Sequence, residues 1–380
     1  MMSARRFGRR SLIVGAGALA LVAAGTTDRW LPVDGVAGTP DPVALRARIL
    51  AGVVPHSGLA TATGRLGLPT VAPIGSAARL LSTTTRIRVQ VADAGRWRVD
   101  ELTPVGEVDT YRDGQVEQVW DYGANRLTTI EPLAPVRFPR ASDLAPADLA
   151  RRLLGATPDD PVMALPPRRV AGLAAAGLRV TPADPDSLAG RIDVWSVPVG
   201  DGALPVAVEI AARDGAGPLL ETAFEAVETV PPAGSGLVPA PPSSAERVRT
   251  RPDDLTGSLQ GVGAVPPPDR LAGRDRVELP LSGDVPAADL LPGVGVYGTG
   301  VGRFVLVPAG PEVVDGIVRG SAAAGGVDVP GLPGGSAARV ATPLLSLVVA
   351  RRRRRGVLLA GTVRPGVLES AAVELMGAGR

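Results

Sequence analysis

The sequence contains no cysteine, which excludes disulfides, thiolate metal sites, cysteine nucleophiles and an acylated N-terminal cysteine together. It holds one histidine, His56, so a His-ligated metal centre or a Ser-His-Asp triad would rest on that residue alone. Aromatic residues are scarce at 3%, and there is no lysine, so every cation is an arginine. Four of those arginines, Arg5, Arg6, Arg9 and Arg10, fall in the first 25 residues with no acid among them. The remaining arginines are almost balanced by the 38 Asp and Glu, and such a near-neutral body gives no electrostatic footprint for nucleic acid.

What is present points to a folded, strand-rich chain. Apolar residues make up 45% of 380, enough for a sizeable core in about two domains. The 48 Gly and 38 Pro favour many short strands joined by turns over an all-helical bundle.

The arginines at the start precede an apolar run, Leu12–Gly25, that Thr26-Thr27-Asp28-Arg29 closes. This is the charge order of a signal peptide or an inside-positive anchor over residues 1–25, and it directs the rest of the chain outside the cytoplasmic membrane. The run is shorter than the roughly 20 residues that span a bilayer comfortably, and Val22-Ala23-Ala24 offers small residues for cleavage, so removal and anchoring both stay open.

Asp41-Pro42 followed by Leu45, Ile49, Leu50 and Val53 predicts a capped amphipathic helix ending near His56. The period then changes to two. Strands are expected at 59–63, 85–91, around Trp97 and Val99, at 105–111, 115–122 and 126–130, with a loop over 64–76 and a turn at Asp113-Gly114. A helix over 145–154 interrupts them, and strands resume at 174–181, 190–198, 204–212 and 219–227. Residues 231–268 have a linker's composition. Beyond them, 269–380 reads as a small α+β unit with strands at 293–297, 303–307, 343–350 and 357–363 and helices at 312–323 and 365–376.

Ser57-Gly58, the Gly-Leu-Pro at 67–69, the strand with Trp97, and Asp113-Gly114 followed by Val119-Trp120-Asp121-Tyr122-Gly123-Ala124-Asn125-Arg126-Leu127-Thr128 resemble the actinobacterial branch of the LolA/RseB superfamily. The segments 170–172, 178–182, 190–195, 204–209 and 222–224 resemble the second half of the same domain, so the likeness spans about residues 40–230. It implies an α+β fold in which a curved, half-open antiparallel sheet wraps over helices and encloses an apolar cavity for acyl chains or a hydrophobic peptide. It also implies an extracytoplasmic, non-enzymatic binding role with a lipid or lipoprotein as partner. The alternative is an RseB-like envelope-stress regulator that binds an anti-sigma factor or other membrane protein. The absence of a cysteine departs from the lipidated members of the superfamily.

The chemistry-bearing candidates are few, and neither a catalytic residue, a metal site nor a cofactor is expected. Gly293 to Gly298 spells G-x-G-x-x-G, but a strand follows instead of a helix, which removes the dinucleotide context. His56 reads as a cap on the carbonyl end of the first helix. Arg351–Arg355 reads as a solvated hairpin loop, with anionic headgroups or an acidic partner as the functional alternative. Alternation places Ile87, Val89, Val91, Trp97 and Val99 on one face, the expected apolar wall of the cavity, and Arg86, Arg88, Arg96 and Arg98 on the other, in water.

Overall fold

The computed structural model describes residues 40–68, 75–104, 106–250, 265–280, 285–323, 327–329, 335–353 and 355–377. The expected signal segment lies outside the described residues. Two sheets, of twelve and eight strands, and six α-helices make up the fold among them.

Asp41 starts helix α1 (Pro42–Leu50) as the sequence implies, its carboxylate accepting from the N–H groups of Val43 and Ala44. The first sheet then builds as a meander: β1 (His56–Gly64), β2 (Thr84–Val91), β3 (Arg96–Thr103), β4 (Gly106–Asp113), β5 (Val116–Asp121) and β6 (Arg126–Ile130). Helix α2 (Gly75–Ser82) connects β1 to β2 and packs on β1. A 3-10 turn (Ala141–Leu144) runs into helix α3 (Pro146–Ala156), after which the chain adds β7 (Val162–Val170), β8 (Leu173–Val180), β9 (Ala189–Val199), β10 (Gly202–Ala212) and β11 (Pro218–Glu228). Strand β11 pairs with β1, which joins the two runs into one sheet. Strand β7 also touches β11, four positions away in strand order, so the sheet is strongly curved, and its two edges do not pair with each other.

Residues expected as a linker contain a 3-10 turn (Gly234–Leu237), whose Leu237 is buried, and strand β12 (Glu246–Thr250), which runs parallel to β6 at the edge of the sheet.

The second sheet runs β13 (Arg270–Leu271), β14 (Arg274–Val277), β15 (Gly295–Tyr297), β16 (Phe304–Pro308), β20 (Arg355–Gly361), β19 (Ser346–Arg352), β18 (Gly335–Ala341) and β17 (Val327–Asp328). A one-turn helix, α4 (Ala287–Leu290), precedes β15. Helix α5 (Pro311–Ala323) packs on β18, β19 and β20, while α6 (Pro365–Gly377) packs on β19 and β20. The central strands feed two separate apolar clusters, one containing Val348, Leu359 and the α6 residues, the other Val349, Leu358 and Val314 of α5. Both faces of this sheet are therefore covered. Arg274 bridges to Asp184 at 2.7 Å and Asp186 at 3.2 Å, tying β14 to the loop after β8.

Three expectations are corrected. His56 is the first residue of β1, six residues past the helix end, because α1 stops at Leu50; it does not cap that helix. The expected loop over 64–76 ends in the start of α2, whose small residues Ala77 and Ala78 bury beside Leu80. Strand β7 is additional, hidden in the sequence by Pro166-Pro167, which a sheet tolerates here because β7 is an edge.

Candidate functional site

The inner face of the first sheet is covered unevenly. Helices α1 and α3 both pack on β10, with α1 also on β7 and β8 and α3 on β11, whereas the 3-10 turn Ala141–Leu144 reaches β2 and β3 and the 3-10 turn Gly234–Leu237 reaches β3. A cavity of about 310 Å³ opens at that end. Its sheet side is set by register: His56 pairs with Val91 and Val91 with Trp97, while Val89 pairs with Val99 one row further. Its helix side is Ser142, Ala145 and the first two turns of α3, from Ala147 to Arg152.

Four of the five residues expected on the cavity wall, Val89, Val91, Trp97 and Val99, line this cavity. The fifth, Ile87, faces the same way, but it is fully buried in the closed core and does not border the opening. The helix-side residues were not singled out from sequence, although Ala145 and Ala147, small residues where a core-facing helix starts, are the signal for unfilled space there.

The opposite face departs from expectation. Arg86 and Arg96 are exposed, but Arg88 and Arg98 sit half-buried among acids. Arg98 donates to Asp100 at 2.5 Å and Asp109 at 2.9 Å, and Arg88 to Asp100 at 3.0 Å and Glu107 at 3.2 Å. Both Asp100 and Asp109 are fully buried. Burial, the neighbouring Asp100 charge and a hydrogen bond with Glu107 push Asp109 up to about 7, against the pull of Arg98. Burial raises Asp100 in the same direction. The carboxylates of Asp100, Glu107 and Asp109 approach within 4.8 Å of one another, and the two guanidinium groups meet that charge.

The charged rim of the cavity is held by contacts within the fold. Arg152 pairs with Asp143 at 2.6 Å and Asp148 at 2.7 Å. Arg151 donates to the carbonyls of Ile49, at 2.7 Å, and Gly52, and Asp93 accepts from the Gly95 N–H at 2.8 Å. Burial raises the Asp143 carboxyl, but Arg137, Arg152 and the Arg140 N–H together bring it below its ordinary range, which fixes the 3-10 turn that roofs the cavity.

Two uncharged polar side chains on the wall each have an atom without such a contact. His56 is 1% exposed, and its Nδ1 lies 2.8 Å from the Val54 carbonyl. A carbonyl only accepts, so Nδ1 carries the hydrogen and Nε2 presents a lone pair. Burial lowers the imidazole below its ordinary pKa, with the Val54 carbonyl opposing, and it is neutral. Phe224 holds the ring edge-on at 5.6 Å, and Gly58 leaves the room for it, since a Cβ there would lie 2.8 Å from the Phe224 ring. Among the described residues, neither His56 Nε2 nor Ser142 Oγ has a hydrogen-bond partner. Each such buried group costs about 1–3 kcal/mol while unpaired.

Arg351, Arg352, Arg353 and Arg355 belong to the β19–β20 hairpin, with Arg353 in the left-handed region at φ 56°. Its ends are engaged in the fold: Arg351 pairs with Asp315 at 3.2 Å, and Arg352 donates to the Met376 carbonyl at 2.7 Å. No helix among the described residues is long and apolar enough to cross a membrane.

No protein-family model and no curated protein sequence matches the chain. Among solved structures it is similar to the Pseudomonas aeruginosa MucA/MucB complex, with 16% identity and a TM-score of 0.45 over 87% of this chain and 95% of that one. It is also similar to an uncharacterized conserved protein from Thermus thermophilus, with 13% identity and a TM-score of 0.33 over 54% and 97% of the two chains. A LolA superfamily protein from Nitrosomonas europaea gives 9% identity and a TM-score of 0.25 over 52% and 96%. The open, curved sheet packed with α1, α2 and α3, together with a second α+β unit, is the α+β architecture that the sequence leads one to expect.

Proposed function

We propose that this chain is an extracytoplasmic, non-enzymatic binding protein that holds an apolar ligand in the cavity between β2, β3 and α3. The observation that carries the reading is the alternation on β2 and β3, which delivers Val89, Val91, Trp97 and Val99 to one opening of about 310 Å³. That volume is at the small end of the roughly 300–1,000 Å³ of ligand sites. The extracytoplasmic placement rests on the arginine-flanked apolar run at the start of the chain. Binding needs no bond made or broken: each methylene taken from water gains about 0.8 kcal/mol, and the valine wall supplies contact without competing polar groups. Acyl chains of a lipid or lipoprotein fit this chemistry. An apolar side-chain cluster of an anti-sigma factor or other membrane protein would use the same burial.

The test is a fluorescence titration of the full chain with N-phenyl-1-naphthylamine, an uncharged dye whose emission rises on transfer to an apolar site. Saturable binding is expected, and Val89→Arg, which buries an unpaired charge, should abolish it. Thermal melting run alongside separates lost binding from lost fold, and Trp97→Leu serves if the arginine variant melts early. Folded variants that bind the dye as wild type does would refute the reading.

A further inference from the structure

His56 and Ser142 are out of keeping with the rest of the cavity. The other groups facing it are apolar or are rim charges: Arg152 and Asp148 pair with each other, while Arg151 holds backbone carbonyls and Asp93 a backbone N–H. His56 Nε2 and Ser142 Oγ, by contrast, are buried on the wall without a partner among the described residues. They lie on separate elements, the start of β1 and the roofing turn, so neither can be explained as a local capping motif of the other. The imidazole is tethered through Nδ1 to Val54 and clamped by Phe224, which leaves Nε2 as a fixed acceptor. A serine hydroxyl both donates and accepts.

We infer that the cavity selects an amphiphile whose polar end carries an O–H or N–H donor that bonds to His56 Nε2 while Ser142 Oγ meets the same polar end. This rests on the reading of the cavity as an apolar-ligand site and specifies the chemistry of the ligand's head. A long-chain alcohol, a glyceride with a free hydroxyl or a primary amide satisfies it. An ether or ester of the same length buries equal apolar surface but leaves Nε2 unmet.

The experiment is competition against N-phenyl-1-naphthylamine on the full chain at neutral pH, with 1-decanol and decyl methyl ether. Decanol is expected to displace the dye about tenfold more tightly than the ether, the discrimination of one buried hydrogen bond. His56→Phe should bring the alcohol-to-ether ratio close to one while leaving ether affinity intact, and His56→Gln, whose amide oxygen can accept, should restore part of it. Wild-type protein that binds decanol and its ether equally would overturn the inference and leave the cavity reading standing, with buried water the partner of both groups. An unchanged ratio in folded His56→Phe would overturn the role of His56. If the dye itself does not bind, the cavity reading fails and this inference fails with it.

Discussion

Along β10, on which α1 and α3 pack, every residue from Ala203 to Ala212 is buried, whereas on β2 and β3 the inward face carries Val89, Val91, Trp97 and Val99 toward an opening bordered by a 3-10 turn and the start of α3. The two ends of one sheet thus share an apolar inner face and differ in what covers it. In the second unit, α5 and α6 close both faces of the sheet. The comparison teaches that strand alternation sets which side chains face inward, while helix placement sets whether they become core or wall.

The comparison can be broken most severely at the filled end. Leu178→Ala on β8, where the side chain is fully buried, should cost about 2–5 kcal/mol in denaturant unfolding, with dye affinity of the folded fraction unchanged. Val99→Ala borders an opening already present, so it loses contacts on fewer sides and should cost only about 1 kcal/mol while weakening the dye. Equal costs at the two ends would remove the distinction between core and wall.

The two faces of β1–β4 should also separate by pH. Asp109, raised to about 7 in the fold, stabilises the protonated form, so its contribution is complete below the unfolded carboxyl's pKa and is lost as pH rises through about 7. His56 is depressed in the fold, so its contribution is present above the unfolded imidazole's pKa and is lost as pH falls through the folded value. Asp109→Asn should flatten the decline in Tm on the alkaline side, and His56→Phe the decline on the acid side. Neither slope changing would place the titrating groups elsewhere.

Smaller effects sharpen the boundary. Asp41→Ala removes two backbone hydrogen bonds at the start of α1 and should cost about 1 kcal/mol in thermal unfolding without altering the dye. Arg86→Gln breaks an exposed pair with Glu225 and should change stability by about 0–1 kcal/mol and uptake not at all. Arg88 is unsuited as that control, because it holds the buried Asp100.

The strands of the meander were legible because apolar and charged residues alternate along Thr84–Val91 and from Arg96 to Val99, and the later turns carry Asp113-Gly114 and Asn125, with Gly114 at φ 57° and Asn125 at φ 49°. Strand β7 was not, since Pro166-Pro167 reads as a break unless its edge position is known. Most of the sheet side of the cavity was legible by the same alternation. Its helix side was not, because Ser142, Ala145 and Ala147 mark a site only through their placement over β2 and β3, which no local pattern encodes. His56 illustrates the same limit: a helix cap by sequence distance, it becomes a cavity wall residue because α1 ends at Leu50 and the chain turns directly into β1.

The most direct test fills the opening without adding charge. Ala147→Leu projects a larger apolar side chain from α3 into the space beside Val89 and Trp97. The account expects Tm to be kept or raised, as in cavity filling, and affinity for N-phenyl-1-naphthylamine to fall at least about tenfold. A stable Ala147→Leu protein that binds the dye as tightly as wild type would contradict it.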